Sequence, residues 1–169
     1  MGYIAEPRSR KQIREVANLI RKMQFAQNEL FFPILDFVEK TLPMIKPSFT
    51  FRVGTVSKMG ECEGLTIPEK DEIWIREDVY EKARRNDGRA RLTIAHELYH
   101  YLEHSPKTIA FARYGKSNVP VYRDPEWQAD AFGGELLIPS HLVEGMSVNE
   151  IMVKCGVSYT AAKCQMKCI

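Results

Sequence analysis

The segment Arg91–His104, RLTIAHELYHYLEH, constrains the fold more than any other part of this 169-residue chain. Its apolar residues recur at helical spacing, at Ile94, Leu98 and Leu102. That spacing predicts a helix with one face packed in a core. The same helix carries His96 and His100, four residues apart. Because buried polar groups need partners, a helix of this composition favours a folded domain with a polar site built against its core.

The His96-Glu97-Leu98-Tyr99-His100 sequence has the spacing of a metal site. Histidines at i and i+4 of a helix have Cβ atoms about 5–6 Å apart on one face. Both imidazoles can therefore reach one ion at about 2.0–2.1 Å. Glu97 is turned by about 100° around the helix, so it can sit beside a metal-activated water instead of binding the ion. The motif predicts metal-assisted hydrolysis with Glu97 as the general base.

A catalytic zinc site has three protein ligands, so a third must lie elsewhere. His104 is too far from His96, about 12 Å along a helix. Glu126 is the better candidate, because it opens a second predicted helix. Asp130 follows one turn later and can accept the free ring N–H of a ligating histidine. The alternative for Glu126 is a first-turn acid that is favoured by the helix dipole.

Periodicity divides the rest of the chain into helices and short strands. The predicted helices cover residues 8–24, 33–45, 78–104 with a break near 86–88, 125–138, and two short pieces around Gly156. The predicted strands cover residues 48–54, 61–67 and 71–77. Residues 105–124 are rich in Pro, Gly, Ser and Asn, which predicts an extended loop. The pattern is that of an α+β domain.

Charge and hydropathy narrow the functional classes. The chain has 24 Lys+Arg and 22 Asp+Glu, a net charge of +2, so its charge gives no reason to expect nucleic acid or a membrane surface as a partner. It has no apolar stretch of about 18 residues. The N-terminus turns charged before an apolar run develops, which argues against a signal peptide. These features predict a cytoplasmic protein.

The four cysteines form no disulfide framework in a chain of this length. Cys164 and Cys168 are spaced to share one helix face, which suits a metal or an oxidised pair. The favoured interpretation of Cys155, Cys164 and Cys168 is that they are small apolar helix residues.

Two segments in this order, RARLTIAHELYHYLEH and EWQADAFGGELLIP, resemble the ImmA/IrrE family of metallo-endopeptidases. The likeness is firm from Ile73 to Pro139. It extends more weakly to the N-terminal helix and to the Gly156-Val157-Ser158 turn. Two features depart from the family pattern. Tyr99 stands where the family usually has Gly and is expected to add bulk near the zinc helix. The Gly133-Gly134 pair is expected to loosen the second helix.

The resemblance implies a zincin-like α+β fold, with helices packed on a small three-stranded sheet and a short helical C-terminal tail. It implies Zn bound by His96, His100 and Glu126, Glu97 as the general base, and Asp130 as a carboxylate behind a ligating histidine. Residues 1–145 then form the zinc metallopeptidase-like domain. It comprises the N-terminal helices 8–45, the sheet 48–77 and the zinc helices 90–104 and 125–138. Residues 146–169 form a tail packed on it.

The resulting expectation is a zinc-dependent endopeptidase that cleaves a protein substrate by metal-activated water. The resemblance implies that the substrate is a transcriptional repressor or regulator, of helix–turn–helix type and often encoded on the same phage or mobile element. Zinc peptidases stabilise the developing oxyanion with a polar side chain, for which the candidates are Tyr114, Tyr122 and His141. The strand at 71–77 is expected to offer an edge to an extended peptide.

The alternative is a non-proteolytic binding or sensing module that contacts a repressor or DNA. Its basis is the basic first helix, with Arg10, Arg14 and Arg21, and the helix–turn–helix-like tail at 149–167. For the first helix a solvated basic face is the favoured interpretation, and the lysines of the tail fit a solvated surface equally well.

Overall fold

The computed structural model describes residues 2–105, 109–112 and 119–169. The chain begins with strand β1, Gly2–Ala5, and helix α1, Arg10–Met23. Ser9 caps α1 as predicted, and it shares a reciprocal capping box with Gln12. One face of α1 is buried, at Ile13, Ala17 and Ile20.

The basic residues of α1 are engaged within the protein. Arg10 and Arg14 both bind the buried carboxylate of Glu135, each with an N–O distance of 2.9 Å. Arg21 is fully buried and donates to the carbonyl oxygens of Leu136 and Glu29. The prediction that the basic side chains of this helix form a solvated face is therefore wrong for Arg10, Arg14 and Arg21.

The next helical segment consists of α2, Ile34–Asp36, a π-helix, Phe37–Thr41, and α3, Leu42–Ile45. Its π turn immediately precedes Pro43. Proline has no amide hydrogen, and its ring clashes with the carbonyl four residues earlier in a regular α-helix. The wider turn accommodates the ring, so Pro43 distorts this helix without ending it.

The main sheet has three short strands, as predicted. They are β2, Thr50–Gly54, β3, Gly64–Ile67, and β4, Glu72–Arg76, with helix α4, Val56–Met59, and a 3-10 turn, Pro68–Lys70, between them. The strand order is β2-β4-β3, with β2 parallel and β3 antiparallel to β4. The strand at 71–77 was expected to supply an edge, which is wrong, because β4 is central. Strand β3, which pairs with β4, is an edge strand of this sheet.

Two long helices form the centre of the domain. After α5, Glu77–Arg84, come α6, Gly88–Glu103, and α7, Pro125–Leu137. Asp87 caps α6, and Asp124 caps α7 with Pro125 in its first turn. Ile94 and Leu98 of α6 are fully buried, as their spacing predicts.

The Gly133-Gly134 pair brings α7 close to its neighbours instead of loosening it. A Cβ on Gly133 would lie 2.7 Å from Leu92 Cδ1 of α6. A Cβ on Gly134 would lie 2.7 Å from Gln165 Oε1 in the tail. The two glycines therefore let α7 approach the Leu92 and Gln165 side chains, which would have to shift to admit a larger residue.

The tail comprises α8, Ser140–Val143, α9, Val148–Cys155, and α10, Tyr159–Met166. Gly156 between α9 and α10 adopts a left-handed conformation, with φ of 64°. Buried Arg91 of α6 donates to the carbonyl oxygens of Cys155 and Gly156, which docks the tail on the core. Cys155 is buried, whereas Cys164 and Cys168 are exposed, and all are free thiols.

A second sheet was not anticipated from the sequence. Strand β5, Ile109–Ala112, lies inside the segment predicted to be a loop and pairs antiparallel with β1. A 3-10 turn, Val121–Arg123, then leads into α7. None of the helices in the described part of the chain combines the length and apolar composition that a bilayer crossing requires.

Candidate metal centre

Helices α6 and α7 bring three donor groups together. His96 and His100 lie one turn apart on α6, and Glu126 lies in the first turn of α7. The distance between the two histidine Nε2 atoms is 2.9 Å. Glu126 carboxylate oxygens lie 3.2 Å from His96 Nε2 and 3.3 Å from His100 Nε2. The sequence-predicted ligands therefore converge on one point.

The donor set has the dimensions of a metal site. Four ligand atoms arranged tetrahedrally at about 2.0–2.1 Å from zinc lie about 3.3 Å from one another. The three separations here, 2.9, 3.2 and 3.3 Å, are close to that value. Two imidazole nitrogens and one carboxylate oxygen also form a donor set that zinc commonly takes in catalytic sites. These residues can therefore hold a metal ion.

The outer nitrogens of both histidines have partners. His96 Nδ1 lies 2.8 Å from Asp130 Oδ1, one turn beyond Glu126 on α7. His100 Nδ1 lies 2.8 Å from Nδ1 of His104, which is buried. Each Nδ1 is thus occupied by a hydrogen bond, and each Nε2 is directed toward the donor cluster. His104 is not part of that cluster.

Nearby carboxylates change the proton affinity of His96. Burial alone lowers the pKa of His96, but hydrogen bonds to Asp130 and Glu126 outweigh burial and raise that pKa to about 10. The imidazoles of His100 and His96, whose Nε2 atoms face the Glu126 carboxylate, hold the pKa of Glu126 far below its usual value. The donor cluster therefore binds a proton strongly when it holds no metal. A metal ion and this proton compete for the same nitrogen.

Glu97 is held beside the donors by the edge strand β3. Thr66 Oγ1 lies 2.7 Å from Glu97 Oε2 and 2.9 Å from the Glu97 backbone oxygen. Gly64 faces the same side chain, since a Cβ there would lie 2.6 Å from Glu97 Cγ. Neither residue was singled out in the sequence. Only the α+β packing brings this strand against α6.

The donors open on a cavity of about 510 Å³ between α6, α7 and β3. Its lining includes His96, Glu97, His100 and Glu126, together with Thr66. Tyr3 of β1 also lines it, although nothing in the sequence signalled that residue. The strand that carries it pairs antiparallel with β5.

The three predicted oxyanion candidates are placed differently. Tyr114 lies outside the described residues. Tyr122 is exposed, and its backbone oxygen accepts from Gln128 Nε2 at 2.8 Å. His141 borders a separate cavity, where its Nε2 lies 2.9 Å from the Gln27 carbonyl oxygen. The structure thus does not bring His141 to the donors, and the role of Tyr122 stays a prediction.

Tyr99 does not narrow the cavity. Its side chain is fully buried, with its ring centroid 4.8 Å from that of Phe132 and 5.2 Å from that of His104. The bulk that replaces the family's usual Gly therefore fills the core between α6 and α7.

An α+β fold of the zincin-like type with a His-His-Glu donor group is typical of one class of metallopeptidases. The chain matches the IrrE N-terminal-like domain of peptidase family M78 over residues 61–165, which is more than half of its length. It belongs to this family, and the predicted ImmA/IrrE resemblance is confirmed. A comparison with curated proteins finds no match. Family membership supports a metallopeptidase-type hydrolase and implies a bound metal.

Proposed function

We propose that this protein is a zinc-dependent endopeptidase that cleaves a protein substrate. The observation that carries the proposal is the convergence of His96, His100 and Glu126 at one end of a cavity that also contains Glu97. A ligand set of two histidines and a glutamate, with a further carboxylate alongside, suits hydrolysis by an activated water.

Each residue has a distinct task in this proposal. His96, His100 and Glu126 would hold zinc, which acts as a Lewis acid and makes a bound water acidic near neutral pH. Glu97 accepts the proton of the attacking water and delivers it to the leaving amine nitrogen. Thr66 orients the Glu97 carboxylate through its hydroxyl. Asp130 orients the His96 ring through Nδ1.

The substrate is an extended segment of a transcriptional repressor or regulator, of helix–turn–helix type. Support comes from the position of β3, which is an edge strand of the sheet and lines the cavity through Gly64, Leu65 and Thr66. A peptide can pair its backbone with such an edge while its scissile carbonyl faces the donors. The choice of a regulator as substrate rests on the family resemblance.

The rival proposal, a non-proteolytic module that contacts a repressor or DNA, loses part of its basis. Arg10, Arg14 and Arg21 contact groups of the protein itself, so they do not form a free basic surface. DNA affinity that falls with salt and is lost on removal of the tail would favour this rival.

The experiment is metal analysis of the purified protein, combined with co-expression beside a helix–turn–helix regulator encoded next to it. The proposal predicts about one zinc per chain. It also predicts discrete regulator fragments that disappear when His100→Ala removes a ligand. An intact regulator beside fully zinc-loaded protein would favour the rival, and protein without metal affinity would contradict the proposal.

A further inference from the structure

Two buried polar side chains lie behind the metal cluster without belonging to it. His104 ends α6 and Gln128 lies in the second turn of α7, and they are only 4% and 1% exposed. His104 Nε2 lies 2.8 Å from Gln128 Oε1, and His104 Nδ1 lies 2.8 Å from His100 Nδ1. These contacts make a continuous chain of hydrogen bonds from α7 to a proposed zinc ligand, here called the His104–Gln128 chain.

Backbone carbonyls set the direction of this chain at its far end. Gln128 Nε2 donates to the carbonyl oxygens of Glu6 and Tyr122, both at 2.8 Å. A carbonyl oxygen only accepts, so the amide nitrogen of Gln128 must face these two groups. Its oxygen must then face His104. The orientation of the Gln128 amide is therefore fixed by two carbonyl oxygens that can only accept hydrogen bonds.

The orientation of the Gln128 amide also determines which nitrogens of the His104 and His100 rings carry hydrogen. Because Gln128 Oε1 accepts, His104 Nε2 carries the donated hydrogen. A neutral His104, the form that burial favours, then presents a lone pair at Nδ1. A neutral His100 that donates its Nδ1–H to that lone pair has no hydrogen on Nε2, and Nε2 is directed at the donor cluster.

We propose that His104 and Gln128 are positioning residues that hold His100 in the Nδ1–H tautomer, with Nε2 ready to bind metal. This inference rests on the proposed zinc function and deepens it. The two ligating histidines are then oriented by different means: His96 by the carboxylate of Asp130, and His100 by a neutral chain anchored on backbone carbonyls. The second histidine is thereby oriented without another negative charge at the site.

The test compares two substitutions of nearly equal shape, His104→Asn and His104→Leu. The Asn side-chain oxygen can take the place of Nδ1 and accept from His100, whereas Leu offers no acceptor. Zinc affinity is measured by competition with a chromogenic chelator. Loss of a group that orients a metal ligand weakens metal binding about 10- to 100-fold. We expect that loss for His104→Leu, and a change of less than about threefold for His104→Asn.

If His104 served only to fill space in the core, the two variants would rank in the opposite order of zinc affinity. Leu preserves apolar packing against Tyr99, whose ring contacts that of His104, so a packing role would favour Leu over Asn. Equal zinc affinity in the parent and both variants, or equal losses in both variants, would overturn the proposal. If the parent itself binds no zinc, the proposed function fails instead, so the two failures are distinguishable.

A second measurement is made on the parent protein itself. Long-range ¹⁵N–¹H spectra of the metal-free parent, recorded near pH 8.5, report which imidazole nitrogens carry hydrogen. The proposal expects hydrogen on Nδ1 of His100 and on Nε2 of His104. Hydrogen on Nε2 of His100 would overturn it. Tyr99→Phe, which keeps the ring against His104, serves as the control and should leave this pattern and the zinc affinity unchanged.

Discussion

Thr66 Oγ1 lies 2.7 Å from the Glu97 carboxylate, so a hydroxyl of the edge strand holds the proposed general base. A hydrogen bond to a charged group contributes about 1.5–3 kcal/mol. We expect Thr66→Val to lower the cleavage rate by about 10-fold or more, with zinc affinity unchanged. Thr93→Val is the matched control, since that hydroxyl bonds the Arg89 carbonyl on α6 and should leave the rate unaltered. An unchanged rate in Thr66→Val would remove Thr66 from the site.

Gly64 leaves room for the same carboxylate. A Cβ at this position would lie 2.6 Å from Glu97 Cγ and 3.0 Å from Glu97 Oε1. Gly64→Ala should therefore displace Glu97 and lower the cleavage rate at least about 10-fold, while zinc content stays complete. Gly54→Ala is the control for crowding away from the donors, because a Cβ there would meet Met59 and Trp74 instead of Glu97. A Gly64→Ala variant with parental activity would show that Glu97 tolerates the shift.

Zinc binding should depend on pH through His96. Asp130 and Glu126 raise the pKa of His96 to about 10 in the metal-free protein, so the ring is protonated at neutral pH. Zinc requires the neutral imidazole, so binding releases this proton. The observed affinity should rise about tenfold per pH unit between about pH 6 and 8. Asp130→Asn replaces a charged carboxylate that raises this pKa with a neutral amide, so the rise should level off at a lower pH. A pH-independent affinity in the parent would contradict the geometry.

Arg91 should be important for stability. It is 1% exposed and donates to the carbonyl oxygens of Cys155, Gly156 and Phe32. Arg91→Met leaves buried carbonyls without donors, so the free energy of unfolding should fall by about 2–4 kcal/mol. Arg89→Met, whose side chain is 78% exposed, should change it by less than about 0.5 kcal/mol. Urea unfolding measures both. Equal effects would refute the docking role of Arg91.

The features predicted correctly from the sequence are mostly local. The i, i+4 spacing of His96 and His100 lies within one helix, and Asp124 with Pro125 marks the start of α7. A helix of known start places Glu126 and Asp130 on one face, so their proximity follows once α7 packs on α6. The same local rules located the three strands of the main sheet within a few residues.

The features that the sequence did not reveal depend on distant contacts. The β1–β5 pair joins residues more than 100 positions apart, and neither strand is longer than four residues. Thr66 reaches Glu97 only because β3 crosses α6. His104 was rejected as a ligand from its spacing. Its hydrogen bond to Gln128, 24 residues later, needs the packing of two helices.

Glu97→Gln tests the central claim most directly, because it removes the proposed base while keeping the size of the side chain. Zinc content and cleavage of a regulator substrate are measured on the same preparation. The account predicts full zinc content and a cleavage rate lower by about 100-fold or more. A variant that retains zinc and cleaves at the parental rate would contradict it.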